Sequence, residues 1–212
     1  MKIKWYGHAC FLMTSSAGTR VLTDPFDETV GYPVPSVEAD YVTVSHDHFD
    51  HNAVRIVKGQ PKVAKGPGTH RLGDIEAKGV GTFHDDVRGA KRGLNTVFVF
   101  DIDGIRVCHL GDLGHVPGPE QVSEIGGVDV LLVPVGGTYT IDAGGAASVT
   151  GLLAPRIVIP MHFKTPALSF PLDPVDSFLQ RMGGGTRTGA ATLEVSKEDL
   201  GGPRRICVLE YA

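Results

Sequence analysis

The stretch YVTVSHDHFDH, residues 41–51, decides the fold, because a short apolar run leads directly into a cluster of potential metal ligands. Residues 41–44 are largely β-branched and too few for a helix, which predicts a buried strand. Three histidines and two aspartates follow within residues 46–51. In α/β proteins, ligand sites form where strands end, on loops held by a rigid sheet. Imidazole and carboxylate groups together suit divalent ions, so this stretch predicts a metal site.

A histidine-rich stretch can also be a solvated loop or a purification tag. This one lies in the middle of the chain, is interleaved with aspartates and follows a predicted core strand, which argues against both alternatives. A structural zinc site would more often use cysteine. The three cysteines, Cys10, Cys108 and Cys207, stand apart within apolar runs. Their odd number and dispersion predict no disulfide framework and indicate a reducing compartment.

Length and composition narrow the class of protein. The 212 residues, 42% of them hydrophobic, suit one domain over residues 1–212 with a sizeable core. The net charge of -4 gives no general reason to bind nucleic acid. The first residues lack the apolar run of a signal peptide, and no stretch approaches the roughly 20 apolar residues of a membrane span. We therefore expect a cytoplasmic protein with no membrane association.

Outward from the motif, the chain consists of short apolar runs separated by tight turns, which predicts many short strands. Besides 41–44, we predict strands over 2–6, 10–14, 20–23, 61–64, 96–100, 105–108, 128–133, 156–160, 192–195 and 205–209. Helices are predicted over 52–58, 143–153 and 176–182, with Asp142 as the N-cap of the second. The first three strands form an antiparallel meander, since their connections are too short for crossovers. Asp103-Gly104 predicts a hairpin turn.

Metal-type side chains recur where predicted strands end. His46 follows the strand at 41–44, Asp112 follows the strand at 105–108, and His162 follows the strand at 156–160. His84 ends a glycine-rich, turn-like segment. Six adjacent residues cannot fill two coordination spheres alone. If these strand ends share one rim of a sheet, the separate side chains converge and complete the site.

The pattern H-x-H-x-D-H at residues 46–51 resembles the signature of the metallo-β-lactamase fold. Further segments resemble the compact branch of that family that includes ascorbate-6-phosphate lactonases, namely Gly7-His8-Ala9-Cys10-Phe11, Thr23-Asp24-Pro25, Gly111-Asp112 and Pro160-Met161-His162. They occur in the family's order and cover essentially the whole chain. The resemblance implies an α+β fold of four αββα layers, in which two mixed β-sheets pack face to face, helices lie outside and the site lies at one edge.

The resemblance also implies a set of metal ligands. His46, His48 and His84 would hold the first metal, Asp50, His51 and His162 would hold the second, and Asp112 would bridge the two. The spacing agrees for His46 and His48, because residues two apart face the same side of an extended segment. A carboxylate can bridge two cations about 3.5–4 Å apart. His70, His109 and His115 are rivals for the position given to His84.

Three further residues have two readings each. Asp24 either starts a turn before Pro25 or accepts a hydrogen bond from a ligand histidine and so fixes its tautomer. His8 is either a turn residue or a lid over the site. Lys164, two residues after His162, either offers a cation to an anionic substrate or is a solvated loop lysine.

These features together predict a dinuclear metal-dependent hydrolase that acts on a small ester, lactone or phosphoester, with an anionic substrate as one option. A hydroxide bridging two divalent ions is the expected nucleophile, and Asp50 would also pass a proton to the leaving group. Histidine-rich ligation favours zinc, with manganese, nickel or iron as alternatives. The number of subunits is left open, a homo-oligomer included.

Two other functions are weighed against hydrolysis. A di-iron redox protein would use similar ligands, but the chain has no flavin-binding partner domain. The second is a non-catalytic module, in which the metals only hold the sheets together and the surface binds a partner. Such a module would not need the full ligand set. The large RNA-processing nucleases of this family carry an inserted module that is missing here.

Overall fold

The computed structural model describes residues 1–212, and most of its regular structure is strand. The strands are β1 Lys2–Gly7, β2 Cys10–Thr14, β3 Arg20–Thr23, β4 Tyr41–Val44, β5 Lys62–Lys65, β6 Gly68–Leu72, β7 Ile75–Phe83, β8 Leu94–Ile102, β9 Ile105–His109, β10 Val130–Pro134, β11 Ile157–Met161, β12 Thr186–Arg187, β13 Thr192–Glu194 and β14 Arg205–Val208. The α-helices are α1 Pro119–Ile125, α2 Ala143–Leu153 and α3 Asp176–Arg181. Single 3₁₀ turns lie at Glu28–Val30, Val54–Ile56 and Glu198–Leu200.

The strands form two mixed sheets, as predicted. The first has six strands in the order β13-β1-β2-β3-β4-β5, and the second has eight in the order β12-β14-β11-β10-β9-β8-β7-β6. The meander of β1, β2 and β3 is antiparallel, which confirms the expectation from its short turns. In the second sheet, β9, β10 and β11 are parallel. Strands β10 and β11 are buried at every position, as parallel strands covered on both faces require.

The hairpin of β8 and β9 shows how local sequence sets the register. Asp103 and Gly104 both have left-handed backbones, with φ of 56° and 70°. Two consecutive positive φ values at the centre of a two-residue loop give the type I′ turn that matches strand twist. The turn pairs Ile102 with Ile105 and continues to Phe98 opposite His109. Strand β9 is thereby aligned so that its end delivers Asp112 to the sheet edge.

The main core lies between the two sheets. It is a cluster of 45 buried residues to which the first sheet contributes Trp5 and Phe11 and the second contributes Phe98 and Phe100. Helix α2 packs on α3 and β10 at the outer face of the second sheet. A smaller cluster of 12 buried residues, including Phe26, covers the outer face of the first sheet. None of the helices has the length and apolar character that crossing a membrane requires.

Two predicted elements are wrong in detail. The helix predicted over 52–58 is only the 3₁₀ turn Val54–Ile56, because the next residue, Val57, is already extended with ψ of 127°. Residues 79–83, predicted as a glycine-rich turn, are the end of the nine-residue strand β7. Glycine is required within that strand, since a Cβ at Gly79 would lie 2.3 Å from the Gly66 carbonyl oxygen. Strands β6 and β12 and helix α1 were not predicted.

The carboxyl ends of six strands meet at one edge of the sandwich. β1 and β3 run in the same direction, because each pairs antiparallel with β2, and β4 is parallel to β3. In the second sheet β7, β9 and β11 share a direction by the same argument. Ligand sites of α/β sheets form outside the carboxyl ends of strands. The topology therefore brings the chemically useful residues together at this edge.

Candidate metal centre

Six of the nine histidines converge at this edge in two clusters. We call His46, His48 and His84 the His48 cluster, and His8, His51 and His162 the His51 cluster. Within each cluster the potential ligand atoms lie within 4.8 Å of one another. The clusters adjoin, since the ring centroids of His46 and His51 are 4.3 Å apart. Residues 46–51 supply ligand candidates to both clusters, which are completed by residues from three other strand ends, His8, His84 and His162.

Asp112 lies between the two clusters. One carboxylate oxygen, Oδ1, is 3.3 Å from Nε2 of His51. The other, Oδ2, is 3.2 Å from Nε2 of His84 and 3.3 Å from Nε2 of His162. Asp50 approaches from the His51 side, with its Oδ2 3.6 Å from Nε2 of His51. One carboxylate thus contacts ring nitrogens of both clusters.

The site concentrates negative charge in the protein interior. Asp24, Asp50 and Asp112 are 1%, 9% and 2% exposed, and their ion-pairing partners are all histidines rather than lysines or arginines. Buried charge is costly unless it is paired or coordinates a metal. Nε2 of His46, Nε2 of His51 and Oδ1 of Asp112 are buried and form no hydrogen bond. Buried ring nitrogens and carboxylate oxygens that have no hydrogen-bond partner suit divalent cations.

The protonation states of two histidines also suit metal binding. Burial, reinforced by the charge of His51, lowers the pKa of His46 to about 3. Burial, together with His162, lowers the pKa of His8 to about 4. Both rings are therefore neutral at pH 7. Metal ligation requires the neutral imidazole, so these side chains need not lose a proton before binding.

The charge of the carboxylates dominates at His51. Burial by itself would lower the pKa of His51, but Asp112 and Asp50 raise it well above 6.5. Burial would likewise raise the pKa of Asp112, yet His162 and His51 hold it well below its usual range. The carboxylates stay ionised, and their negative charge draws a proton onto the ring of His51. This electrostatic field favours a cation at the His51 cluster.

Backbone geometry at the strand ends is unusual. His8, Asp24 and His162 have left-handed backbones, with φ of 51°, 39° and 51°. Such conformations are uncommon outside glycine and cluster at functional sites. Gly111 has φ of 55°, and a Cβ there would lie 2.5 Å from Oδ1 of Asn95. Only glycine fits this position, so Gly111 lets the chain turn and presents Asp112 to the site.

Asp24 and Ser45 orient two of the histidines. Asp24 accepts hydrogen bonds from Nδ1 of His51 at 2.9 Å and from the hydroxyl of Ser45 at 2.6 Å. The same hydroxyl lies 2.9 Å from Nδ1 of His46 and accepts from it. Nε2 of both rings is thereby directed into the site. Ser45 was not singled out from the sequence, because a serine at a strand end has no distinctive signal.

Asn95 holds Asp112 in a similar way. Its side-chain oxygen accepts from the backbone N–H of Asp112 at 3.0 Å. Its amide nitrogen donates to the hydroxyl of Thr82 and to the carbonyl of Leu110. Asn95 is buried near the start of strand β8. A buried asparagine at such a position is a usable sequence signal, and it was missed.

His8 belongs to the site itself. Its Nε2 lies 3.1 Å from Oδ2 of Asp50, and its ring centroid is 4.1 Å from that of His162. Its carbonyl accepts from the indole N–H of Trp5 and the backbone N–H of His162. The side chain is fully buried. His8 therefore lies in the turn after β1, and its buried ring forms part of the site.

The contacts of Lys164 favour its reading as a loop lysine over that of a cation for a substrate. Its ammonium donates to the carbonyls of Leu168 and Phe170 and so holds that loop. The three rival histidines are also committed elsewhere. Both ring nitrogens of His109 are used, by the carbonyl of Ala9 and the N–H of Gly111, while His70 contacts a backbone carbonyl and His115 contacts backbone groups through both nitrogens.

A cavity of about 290 Å³ opens over the metal-ligand candidates. Besides His48, Asp50, His84, Asp112 and His162, it is lined by Phe49, Arg92, Tyr139 and Phe170. Of the loops near the site, 85–95 supplies Arg92 and 139–145 supplies Tyr139, whereas 27–36 supplies none of the cavity's lining. Phe170 comes from a loop that was not predicted to take part.

Comparison with known proteins agrees with this geometry. The family described as Beta-lactamase superfamily domain matches residues 2–162. A metal-dependent hydrolase of Archaeoglobus fulgidus is 34% identical over 210 residues, which cover 83% of this chain and 88% of that protein. Among solved structures, a Thermotoga maritima protein described as a Zn-dependent hydrolase of the metallo-beta-lactamase superfamily is 47% identical, with a TM-score of 0.83 over 98% of this chain and 97% of that one.

A more distant structure shares the fold alone. The diiron β-hydroxylase of Streptomyces venezuelae is 15% identical, with a TM-score of 0.64 over 99% of this chain and 53% of that protein. Since a fold hosts several chemistries, this likeness leaves the metal and the reaction to be argued from the site.

Proposed function

This chain belongs to the beta-lactamase superfamily and is a metal-dependent hydrolase of it, and we propose that it cleaves a small ester, lactone or phosphoester at two divalent ions. The observation that carries the proposal is the position of Asp112, whose two carboxylate oxygens contact ring nitrogens of both histidine clusters. A carboxylate in that position neutralises charge between two cations. The lactonase branch suggested by the sequence stays a prediction.

The ligand sets follow the two clusters. In our proposal His46, His48 and His84 hold the first ion, His51, His162 and Asp50 hold the second, and Asp112 bridges them. The grouping of the first three histidines within 4.8 Å supports one half of this assignment. The approach of Asp50 and Asp112 to the ring nitrogen of His51 supports the other half.

Two divalent ions there would lower the pKa of a shared water to about 7 and supply a bridging hydroxide at neutral pH. Histidine-rich ligation favours zinc, with manganese, nickel and iron as alternatives. The protein contributes a cavity beside the ligand candidates that is also lined by Phe49 and Phe170, so a substrate bound there would contact these two rings.

Asp50 is the residue that we expect to move a proton. It lines the cavity and is 9% exposed. Burial would raise its pKa, but His51 and His8 lower it below its ordinary value, so the carboxylate is ionised and able to accept a proton. Held by His8 at 3.1 Å, it would take the proton of the hydroxide as that group attacks and deliver it to the leaving group.

The rest of the proposal concerns the setting of the enzyme. Cys10, Cys108 and Cys207 are free and buried. Free cysteines are typical of reducing compartments, which supports a cytoplasmic location. We treat residues 1–212 as one domain, because the core cluster takes residues from both sheets.

The test is metal analysis of protein purified without added metal, alongside turnover of a phosphodiester, a set of esters and a set of lactones. We expect about two ions per chain and turnover of one of these classes. Removal of metal by a chelator should abolish turnover, and zinc or manganese should restore it. One ion or none, with no turnover after reconstitution, would refute the dinuclear hydrolase. Turnover that depends on iron and oxygen would favour the redox function instead.

A further inference from the structure

The cavity over the metal centre has one cationic side chain, that of Arg92. The same residue also lines the two clefts that adjoin the cavity, one beside His46 and one beside Thr138. A substrate that reaches the site from either cleft therefore passes Arg92. Its position makes it the cation best placed to bind a negatively charged part of a substrate.

The loop that carries Arg92 is held in a fixed conformation by Asp85. This aspartate is 3% exposed, and its carboxylate accepts four backbone hydrogen bonds at 2.7–2.9 Å, from the N–H groups of Val87, Gly89, Lys91 and Arg92. Hydrogen bonds to an ionised acceptor are the stronger kind. The loop directly follows His84, so the backbone of Arg92 is fixed relative to the metal centre.

The guanidinium group is oriented but not neutralised. One of its nitrogens, Nη2, donates to the carbonyl of Thr138 at 3.2 Å, and its central carbon lies 5.5 Å from the ring centroid of Tyr139. No carboxylate pairs with it, whereas the neighbouring Lys91 pairs with Asp86 at 3.4 Å. A guanidinium has five N–H donors in a planar fork that matches carboxylate and phosphate. Most of these donors remain available to a ligand.

The cavity also has an aromatic wall. Phe49 is 56% exposed although it lies between two metal-ligand candidates, and its ring centroid is 6.3 Å from that of Phe170 in an edge-to-face arrangement. Tyr139 contacts the same Phe170 ring at 6.2 Å, also edge to face. A large exposed aromatic side chain at a cavity is typical of ligand recognition, since ligand pockets are lined by aromatic groups with few polar anchors.

We propose that Arg92 is a specificity-determining residue that binds a carboxylate or phosphate group of the substrate, while a flat apolar part of the substrate lies against Phe49 and Phe170. The substrate class is then an aromatic or similarly flat compound that carries an anionic group. The inference deepens the proposed hydrolysis and rests on it for the scissile bond, but the binding interaction of Arg92 is separately measurable.

The first test measures binding by calorimetry to the metal-loaded enzyme, with phenyl phosphate, benzoate and neutral benzyl alcohol as probes. Arg92→Gln should weaken binding of an anionic probe about 10- to 100-fold, the usual worth of a hydrogen-bonded charge, and leave benzyl alcohol unchanged. Arg92→Lys should lie between, because it keeps the charge and loses the fork. Lys91→Gln is the matched control and should bind like the wild type.

The pattern over the probes decides the outcome. Weakening of phenyl phosphate alone identifies a phosphate, weakening of benzoate alone identifies a carboxylate, and weakening of both identifies an anion of either kind. Each of these supports Arg92. The proposal is overturned if Arg92→Gln binds both anions like the wild type, if Lys91→Gln loses as much affinity, or if benzyl alcohol is weakened equally.

The aromatic half of the proposal needs a separate variant. Phe49→Ala should weaken phenyl phosphate several-fold and leave inorganic phosphate unchanged, because only the former has a ring to contact. Equal effects on the two would remove Phe49 from substrate recognition.

Kinetics separate this inference from the proposed function. With 4-nitrophenyl acetate and the anionic mono-4-nitrophenyl succinate as substrates, Arg92→Gln should raise KM for the anionic ester alone and leave kcat nearly unchanged. If the wild type hydrolyses neither ester nor any phosphoester or lactone but binds the anionic probes through Arg92, hydrolysis is refuted and the anion site stands. If the wild type hydrolyses both esters and Arg92→Gln changes the kinetics of neither, hydrolysis stands and the role of Arg92 is refuted.

Discussion

The two histidine clusters use the same kind of side chain in different surroundings. His48 is exposed and borders an open cleft of about 670 Å³ that also contacts His46. His8, His51 and His162 are at most 1% exposed. The His48 cluster touches the carboxylate of Asp112 alone, whereas the His51 cluster also pairs with Asp24 and Asp50. Similar ligands are therefore placed in one cluster that is open to solvent at His48, although His46 and His84 are buried, and in another that is buried throughout and strongly negative.

This difference predicts a division of labour. Charges interact more strongly where water is excluded, so an ion at the His51 cluster should bind tightly and contribute to the stability of the fold. An ion at the His48 cluster should exchange more readily, because solvent reaches it. Variants can test this contrast, from one that affects both clusters to one that removes a single hydrogen bond.

Asp112→Asn should have the largest effect, because Asp112 is the one residue in contact with both clusters. We expect metal content to fall from about two ions to less than one and turnover to fall by about a thousandfold or more, since the lowered pKa of water depends on the ions. Metal analysis and kinetics measure the two. Asp101→Asn, on the exposed face of strand β8, is the control. Two ions in Asp112→Asn would show that the clusters bind independently.

His51→Gln and His48→Gln form a matched pair for stability in the absence of metal. His51→Gln leaves the buried carboxylate of Asp24 without its histidine partner, and breaking a buried pair costs about 3–5 kcal/mol. Its Tm should fall by roughly 10 °C. His48→Gln removes an exposed side chain and should change stability by about 0.5 kcal/mol or less.

Calorimetric unfolding in a chelator measures this pair, and metal analysis then shows what each variant has lost. After metal is added back, we expect each variant to bind one ion fewer than the wild type. Equal Tm values for the two variants would mean that burial does not distinguish the clusters, and the contrast between them would fail.

Ser45→Ala tests how the orientation of His46 supports the solvated half. The Ser45 hydroxyl accepts from Nδ1 of His46 and donates to Asp24, so its loss frees the ring to rotate. Loss of such a supporting hydrogen bond usually lowers metal affinity about 10- to 100-fold. We expect the weaker of the two ions to be affected, measured by competition with a chromogenic chelator. Ser148→Ala, on helix α2 away from the site, is the control.

The contrast between the clusters also explains what the sequence could predict. Residues 46–51 can be predicted as a metal-binding segment from the sequence, because five of the six are potential ligands. Asp112 and His162 are predictable because each follows an apolar strand beside glycine or proline, and parallel strands bring such ends together. The two mixed sheets of the α+β fold, which the sequence implied, are confirmed.

The residues that were missed act through contacts distant in sequence. Ser45, Asn95 and Arg92 have ordinary local sequences, and their roles depend on partners brought by other strands. Strand β7 was misread because its glycines resemble a turn, while its pairing with β8 is a tertiary effect. The prediction of a helix over 52–58 was wrong for a related reason. Local composition favoured a helix, but the surrounding structure allowed only one 3₁₀ turn.

His8→Asn removes one hydrogen bond within the His51 cluster, and we expect the smallest effect from it. Asparagine tolerates the left-handed backbone of His8, with φ of 51°, so the turn should keep its shape while the bond to Asp50 is lost. Because Asp50 would then lose the hydrogen bond that orients its carboxylate, we expect kcat to fall about tenfold, toward the lower end of a general acid–base contribution, with two ions retained. His70→Asn, outside the site, should match the wild type. If the His8→Asn variant instead binds one ion fewer than the wild type, and proton transfer is unaffected in the activity that remains, His8 is itself a ligand. The His51 cluster would then hold its ion with three histidines, as the His48 cluster does, and burial rather than ligand type would be the whole difference between them.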